Sequence, residues 1–169
     1  MNTYDYSILT SCTPKRLQSM HIEGFTLVEM LVAISIVGIL SAIAFPSFSN
    51  VLANQRSKSV ASELFESLLK ARSAAITQNA NVTLLPKTNQ WINGWQVQNS
   101  LNVVLDDRKD VTNATITGPN NVIYRPSGRV VGGNPPVFVI LATSGSSQFY
   151  QCVSVDLSGR PYIKAVSSC

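Results

Sequence analysis

The chain has 169 residues, of which 45% are hydrophobic and 13% charged, and its formal net charge is +4. This length suits one ordinary domain, and the composition is too apolar for a disordered chain. A single histidine argues against a histidine-rich metal site and against catalysis that depends on histidine.

The first predicted element is an apolar segment, residues 25–45, whose only charged residue is Glu29. A bilayer core needs roughly 20 apolar residues, and a secretory signal has an apolar region of only about 7–15. Lys15 and Arg16 precede the segment, so the positive-inside rule predicts a cytoplasmic N-terminus and export of the rest. A carboxylate inside a membrane segment marks a functional site unless it merely lies at the level of the headgroups.

Residues 24–29, Gly-Phe-Thr-Leu-Val-Glu, resemble the processing signal of type IV pilins and pseudopilins. In that family prepilin peptidase cuts after the glycine, and the new N-terminal Phe is N-methylated. The resemblance implies a cut between Gly24 and Phe25, and it puts Glu29 at the fifth mature position. Pro46 falls where pilins commonly carry a proline that kinks the helix.

The chemistry of Glu29 fits this resemblance. Cleavage creates an α-amine on Phe25, and Glu29 of a neighbouring subunit can pair with that charge in apolar surroundings. We therefore expect Glu29 to set the stagger between subunits of a filament.

The predicted leader is residues 1–24, which contain Cys12 and His21. It is long for this class, and a start at Met20 would give a short leader without lysine or arginine. Both Met1 and Met20 stay open as start sites.

A helix is predicted to continue beyond the transmembrane or filament-core segment (residues 25–46) as an amphipathic helix over residues 47–80. Proline bends a helix without necessarily ending it. An apolar stripe with helical spacing is expected to pack on a sheet. The stripe comprises Ala61, Leu64, Leu68, Ala71 and Ala75, broadened by Leu69 and Ile76.

Residues 81–169 alternate short β-rich runs with turn residues, which predicts antiparallel sheet. The predicted strands are residues 82–85, 95–97, 101–105, 111–117, 122–124, 137–142, 149–155 and 162–166. The fold class is therefore α+β, with a long N-terminal helix packed on an antiparallel β-rich head, as in type IV pilins.

Two motifs in the head resemble those of the GspH/FimT group of minor pilins and pseudopilins. One is W-x-x-G-W-x-V at residues 91–97, and the other is the aromatic-x-P-x-G element at residues 124–128. Their expected role is structural, with aromatic rings in the core and glycines in turns.

Two cysteines follow the predicted cleavage site, Cys152 and Cys169. An exported head meets an oxidising compartment, so we expect a bridge between them that fixes the last strand. An intersubunit bridge or two free thiols are the alternatives.

The head offers no catalytic constellation, and neither a metal nor a cofactor is expected. The one acidic cluster, residues 106–110, is interrupted by Arg108 and Lys109, so we interpret it as a solvated turn rather than a cation site.

Basic residues predominate near the C-terminus. Members of the FimT branch used in natural transformation bind DNA through a G-R-x-R motif, and Gly159-Arg160-Pro161-Tyr162 keeps only its first half. Tyr162 could stack on a base and Lys164 could meet a phosphate, unless this is an ordinary turn with a solvated arginine. The residues that could contact DNA are Arg125, Arg129, Arg160, Tyr162 and Lys164.

The sequence thus predicts a minor type IV pilin of the GspH/FimT group, without enzymatic activity, that joins or primes a pilus and aids DNA uptake, twitching or adhesion. A minor pseudopilin of a type II secretion system is the alternative, and a membrane-tethered periplasmic binding protein is a remote one. The predicted partners are other pilins, prepilin peptidase, inner-membrane lipid and DNA. The expected location is the bacterial inner membrane, with a single span and a periplasmic head, and after assembly the extracellular pilus.

Overall fold

The computed structural model describes residues 24–169, without the side chains of residues 43–47. Apart from Gly24, the predicted leader and both candidate start residues lie outside the described part. The chain divides into two compact units, one ending at Ile39 and the other running from Leu40 to Cys169.

One helix, α1, spans Leu27–Gln78 and contributes to both units. It runs through Pro46 without ending, as the sequence predicts. Its C-terminus is closed by Asn79, whose φ of 49° takes the left-handed conformation that often ends helices. The N–H groups of Asn79 and Ala80 donate to the carbonyls of Ile76 and Ala75 at 3.3 Å, which satisfies two terminal carbonyls.

Within the described residues, no helix has the length and apolar character needed to cross a membrane.

The second unit carries two four-stranded antiparallel sheets, ordered β3-β2-β1-β5 and β4-β6-β7-β8. Two short 3₁₀ turns, Lys87–Asn89 and Trp91–Asn93, separate the first two strands. The strands are β1 Val82–Pro86, β2 Trp95–Asn99, β3 Val104–Asp107, β4 Thr115–Thr117, β5 Val122–Tyr124, β6 Val137–Ser144, β7 Ser147–Val155 and β8 Pro161–Lys164.

The core forms where one face of α1 meets the inner faces of the sheets. All five residues of the predicted stripe, from Ala61 to Ala75, are fully buried in it. Leu69 and Ile76 are 41% and 51% exposed, so the prediction that they broaden the stripe is wrong. Leu69 and Ile76 therefore lie at the solvent-exposed side of the helix, beside the buried stripe.

The predicted strands correspond in number and order to the observed ones, but only the strand at residues 122–124 has both boundaries right, and three predicted strands include residues outside the sheets. Residues 101–103 lie in the connection before β3, where the amide oxygen of Asn99 accepts hydrogen bonds from Leu101 and Val103. Residues 111–114 precede β4, and residues 165–166 lie beyond β8. In each case the predicted strand includes apolar residues that lie outside the paired strand.

The acidic cluster is also corrected. Asp106 and Asp107 lie in β3 rather than in a turn, and their carboxylates form ion pairs with Lys70 and Lys87. Asp106 also accepts a hydrogen bond from Ser67, and Arg108 lies 3.3 Å from Glu63. The contacts of Asp106 with Lys70 and Ser67 tie this edge strand to α1, whereas Asp107 ties it to the 3₁₀ turn that begins at Lys87.

Candidate assembly end and basic face

The predicted cleavage junction lies immediately before the helix. Gly24, Phe25 and Thr26 are non-helical, and Phe25 is 79% exposed. A cut between Gly24 and Phe25 would therefore leave a two-residue extension on α1. Glu29 is exposed in the first turn of that helix.

Thr26 caps the helix, a role that the sequence reasoning missed. Its hydroxyl oxygen accepts a hydrogen bond from the N–H of Glu29 at 3.2 Å, and its carbonyl accepts the first helical bond from Met30. Residues 26–29 read Thr-x-x-Glu, which is the signature of a capping box and could have revealed this cap. Glu29 thus also places a negative charge at the positive end of the helix dipole.

The first helical turns present an apolar surface. Large side chains from Leu27 to Leu40 are at least half exposed, and Glu29 is the only charged residue among them. Such a continuous exposed surface is typical of a membrane or protein interface. We call residues 24–40 the assembly end.

Gly128 and Gly159, which belong to two of the motifs in the sequence, lie against each other in the head. Gly128 of the aromatic-x-P-x-G element and Gly159 have φ values of 72° and 84°, and a Cβ on Gly159 would collide with the carbonyl of Gly128. Arg72 of α1 donates to the carbonyl of Gly128 at 3.1 Å and to that of Ser158 at 3.4 Å. Neighbouring turns from distant parts of the sequence are thereby fixed to each other and to the helix.

Asp156 organises the turn that contains Gly159. Its carboxylate accepts hydrogen bonds from the Ser158 hydroxyl at 2.6 Å and from the N–H of Arg160 at 2.8 Å. These bonds, the one from Ser158 foremost, hold the pKa of Asp156 below its ordinary value.

Tyr124 is fully buried at the end of β5, and its hydroxyl has no hydrogen-bond partner among the described residues. Burial raises the pKa of the phenol, so the side chain is neutral throughout the physiological range.

The predicted DNA-contacting residues form two groups in the head. Arg160 is exposed before β8, and Lys164 lies 5.1 Å from the centre of the Tyr162 ring on that strand. Arg125 and Arg129 flank the turn around Gly128 and line a common cavity. The contact between Gly128 and Gly159 brings the two turns together, and we call these five residues the basic face.

The W-x-x-G-W-x-V motif builds the core, as expected. The indole N–H of Trp95 donates to Ser67 at 2.9 Å, and that of Trp91 donates to the carbonyl of Pro119 at 2.8 Å. Trp91 also packs edge-on against Phe138, with ring centres 4.9 Å apart. Gly94 has a φ of 83°, and a Cβ there would collide with the carbonyl of Arg108.

Cys152 and Cys169 are joined by a disulfide, with their Cα atoms 5.8 Å apart. Cys152 is fully buried on β7, so the bridge fixes the exposed residues after β8 to the middle of a sheet. Among the described residues, no group of three or more His, Cys, Asp or Glu side chains could hold a metal ion.

Comparison with family models gives two matches. The family described as Type II transport protein GspH matches residues 60–159, more than half of the chain. The Prokaryotic N-terminal methylation motif matches residues 20–45, which include the assembly end.

Type IV major fimbrial protein FimA of Dichelobacter nodosus is 44% identical over 41 residues, which are 24% of this chain and 26% of the relative. The chain thus spans about a quarter of the length of the curated relatives that it matches.

Two crystal structures of the type IV minor pilin FimU of Pseudomonas aeruginosa share the fold. One has a TM-score of 0.58 at 21% identity and covers 68% of this chain and 96% of FimU. The other has a TM-score of 0.55 at 22% identity, with coverages of 66% and 98%. The helix packed on antiparallel sheets is therefore the type IV pilin fold. From the two family matches and this fold, the chain belongs to the GspH family and is a type IV minor pilin or pseudopilin of the GspH/FimT group.

Proposed function

We propose that this protein is a minor type IV pilin that is cut by prepilin peptidase between Gly24 and Phe25 and then joins, or primes, a pilus. The observation that carries the proposal is the assembly end, where a non-helical junction leads into an exposed apolar helix with a single acid, Glu29. Before assembly this helix anchors the protein in the inner membrane, with the head in the periplasm. In the filament it packs against the helices of other pilins.

Glu29 is proposed to pair with the α-amine of Phe25 on a neighbouring subunit. An unpaired carboxylate in apolar surroundings is costly, so its partner selects both the position and the stagger of the incoming subunit. Capping by Thr26 supports this role because it fixes the start of the helix and hence the position of Glu29. The substitution Glu29→Ala should leave processing intact and reduce incorporation.

The test uses a strain in which the gene is deleted and then restored as wild type, Glu29→Ala or Glu66→Ala. Glu66 is an exposed acid of the same helix within the head, so its loss matches the charge change outside the assembly end. We expect the sheared pilus fraction to contain the wild type and Glu66→Ala but little Glu29→Ala, although all three are processed. Equal amounts of the three proteins in that fraction would refute the proposal.

A minor pseudopilin of a type II secretion system is the second candidate, favoured by the description of the matching family as a type II transport protein. The likeness to a type IV minor pilin supports the pilus instead. The same deletion strain separates the two, because loss of pili and twitching indicates the pilus whereas loss of exported enzymes with intact pili indicates secretion.

DNA uptake is a finer role that depends on the basic face. Arg160 and Lys164 are exposed, and Tyr162 lies beside Lys164 on β8, which supports contact with a nucleic-acid strand. Single-stranded DNA should bind weakly and with strong salt dependence. The substitution Arg160→Ala should weaken DNA binding more than Lys109→Ala does, because Lys109 is an exposed cation outside the basic face. No shift of labelled DNA by the wild type at low salt would remove this role.

A further inference from the structure

We propose that the loop between β5 and β6 forms a binding site for a phosphate group, held by Arg125 and Arg129, a property that goes beyond pilus assembly. A cavity of about 310 Å³ opens there. Its lining includes Arg125, Ser127, Arg129, Gly132, Gly133 and Leu157.

The cavity has positive charge without a matching acid. No carboxylate lines it, and neither arginine forms an ion pair with any described residue. The Nε of Arg129 donates to the carbonyl of Leu157 at 3.3 Å, which orients the guanidinium and leaves its terminal nitrogens for another acceptor. Asp156 lies in the adjacent turn, where its Oδ1 accepts hydrogen bonds from Ser158 and Arg160, and it does not line the cavity.

The turn that carries the two arginines is held in place before any ligand binds. The N–H of Gly128 donates to the carbonyl of Arg125 at 2.8 Å, and the N–H of Arg125 donates to the carbonyl of Arg129 at 2.9 Å. Arg72 anchors this turn from the helix, and Gly159 packs against it. Because the backbone of the turn is already fixed, binding avoids the entropy cost of ordering it.

The donors of this cavity suit a tetrahedral oxyanion. Two guanidinium groups balance the charge of a phosphate dianion and present paired N–H groups to its oxygens. The Ser127 hydroxyl and the backbone of Gly132 and Gly133 border the same space, and Gly132 has a φ of 123°. No aromatic ring lines the cavity, so it would recognise the phosphate itself rather than a stacked base.

The test is calorimetric titration of the full chain in a non-ionic detergent with inorganic phosphate, and separately with glycerol phosphate, at low ionic strength. The double variant Arg125→Gln/Arg129→Gln is compared with Lys58→Gln/Lys109→Gln. The control pair removes two exposed cations that form no ion pair with described residues and lie outside the cavity. Thermal unfolding of each variant checks that it is folded.

We expect the wild type and the control pair to bind phosphate with a Kd on the order of 1 mM, and the arginine pair to bind at least about tenfold more weakly. Arg125→Gln alone should also weaken binding, and because the Arg125 side chain makes no hydrogen bond within the described residues, this variant should fold normally. Binding of inorganic phosphate alone identifies the free ion as the source, and equal binding of glycerol phosphate identifies a phosphomonoester. No binding by the wild type, or equal losses in both double variants, would overturn the proposal.

Discussion

At the scale of single residues, Gly128 and Gly159 determine how the C-terminal half of the head packs. Both have positive φ, and at Gly159 a side chain would also meet the backbone of Gly128. The sequence places each glycine in a turn, but the contact between them brings together residues about 30 positions apart and could not be predicted from spacing. In the Gly159-Arg160 pair that suggested DNA binding, the glycine therefore has a packing role.

This contact makes a stability prediction. Gly159→Ala should lower the free energy of unfolding by more than about 2 kcal/mol, because it combines left-handed strain with a backbone collision. Gly145→Ala is the matched control, since its φ is 57° and a Cβ there meets nothing within 4 Å. The Gly145→Ala variant should lose only about 1 kcal/mol of the free energy of unfolding. Urea unfolding measures both, and equal losses would show that the contact with Gly128 is unimportant.

Asp156 should make the stability of the head depend on pH in the acidic range. Its folded-state pKa lies below the ordinary value of 3.8, so its stabilising bonds are fully present above that pH and are lost as the pH falls through the folded-state pKa. The wild type should therefore lose stability below about pH 4 more steeply than Asp156→Asn. Thermal melts across this range test the difference, and parallel curves for the two proteins would contradict it.

At the scale of elements, helical periodicity predicted the buried stripe of α1 because its positions recur every three or four residues. Strand number and order followed from turn residues, whereas strand ends did not, since apolar residues such as Leu101 and Val103 lie outside the ladder and remain exposed. The ion pair between Asp106 of β3 and Lys70 of α1 could not be predicted from the sequence either, because charged residues distant in the chain give no indication of their partners. The Thr26 cap was predictable, as its signature is local.

The disulfide links Cys169, which lies beyond β8, to Cys152 of β7. Its cysteines are 17 residues apart in sequence, and in the loop-entropy model such a link stabilises the fold by about 3 kcal/mol. Reduction, or the variant Cys169→Ser, should lower the midpoint of thermal unfolding, and the reductant should have no further effect on the variant. An unchanged midpoint after complete reduction would show that the residues after β8 contribute nothing to stability.

At the scale of the whole molecule, the chain combines a structural head with an apolar assembly end. The fold was predictable in outline because a short N-terminal motif and a few head residues carry the family resemblance. The finer role was not, since pilins and pseudopilins share the helix and the head. Which surface meets which partner depends on exposed residues, and their pattern is not constrained by folding.

Cleavage after Gly24 is the step by which we propose that the chain becomes a pilin. Mass spectrometry of the N-terminal peptide of the protein, expressed with and without prepilin peptidase, tests this most directly. We expect an N-methylated Phe25 at the N-terminus when the peptidase is present and an intact Gly24–Phe25 bond when it is absent. An N-terminus beyond Pro46, or an uncut bond in the presence of an active peptidase, would contradict it.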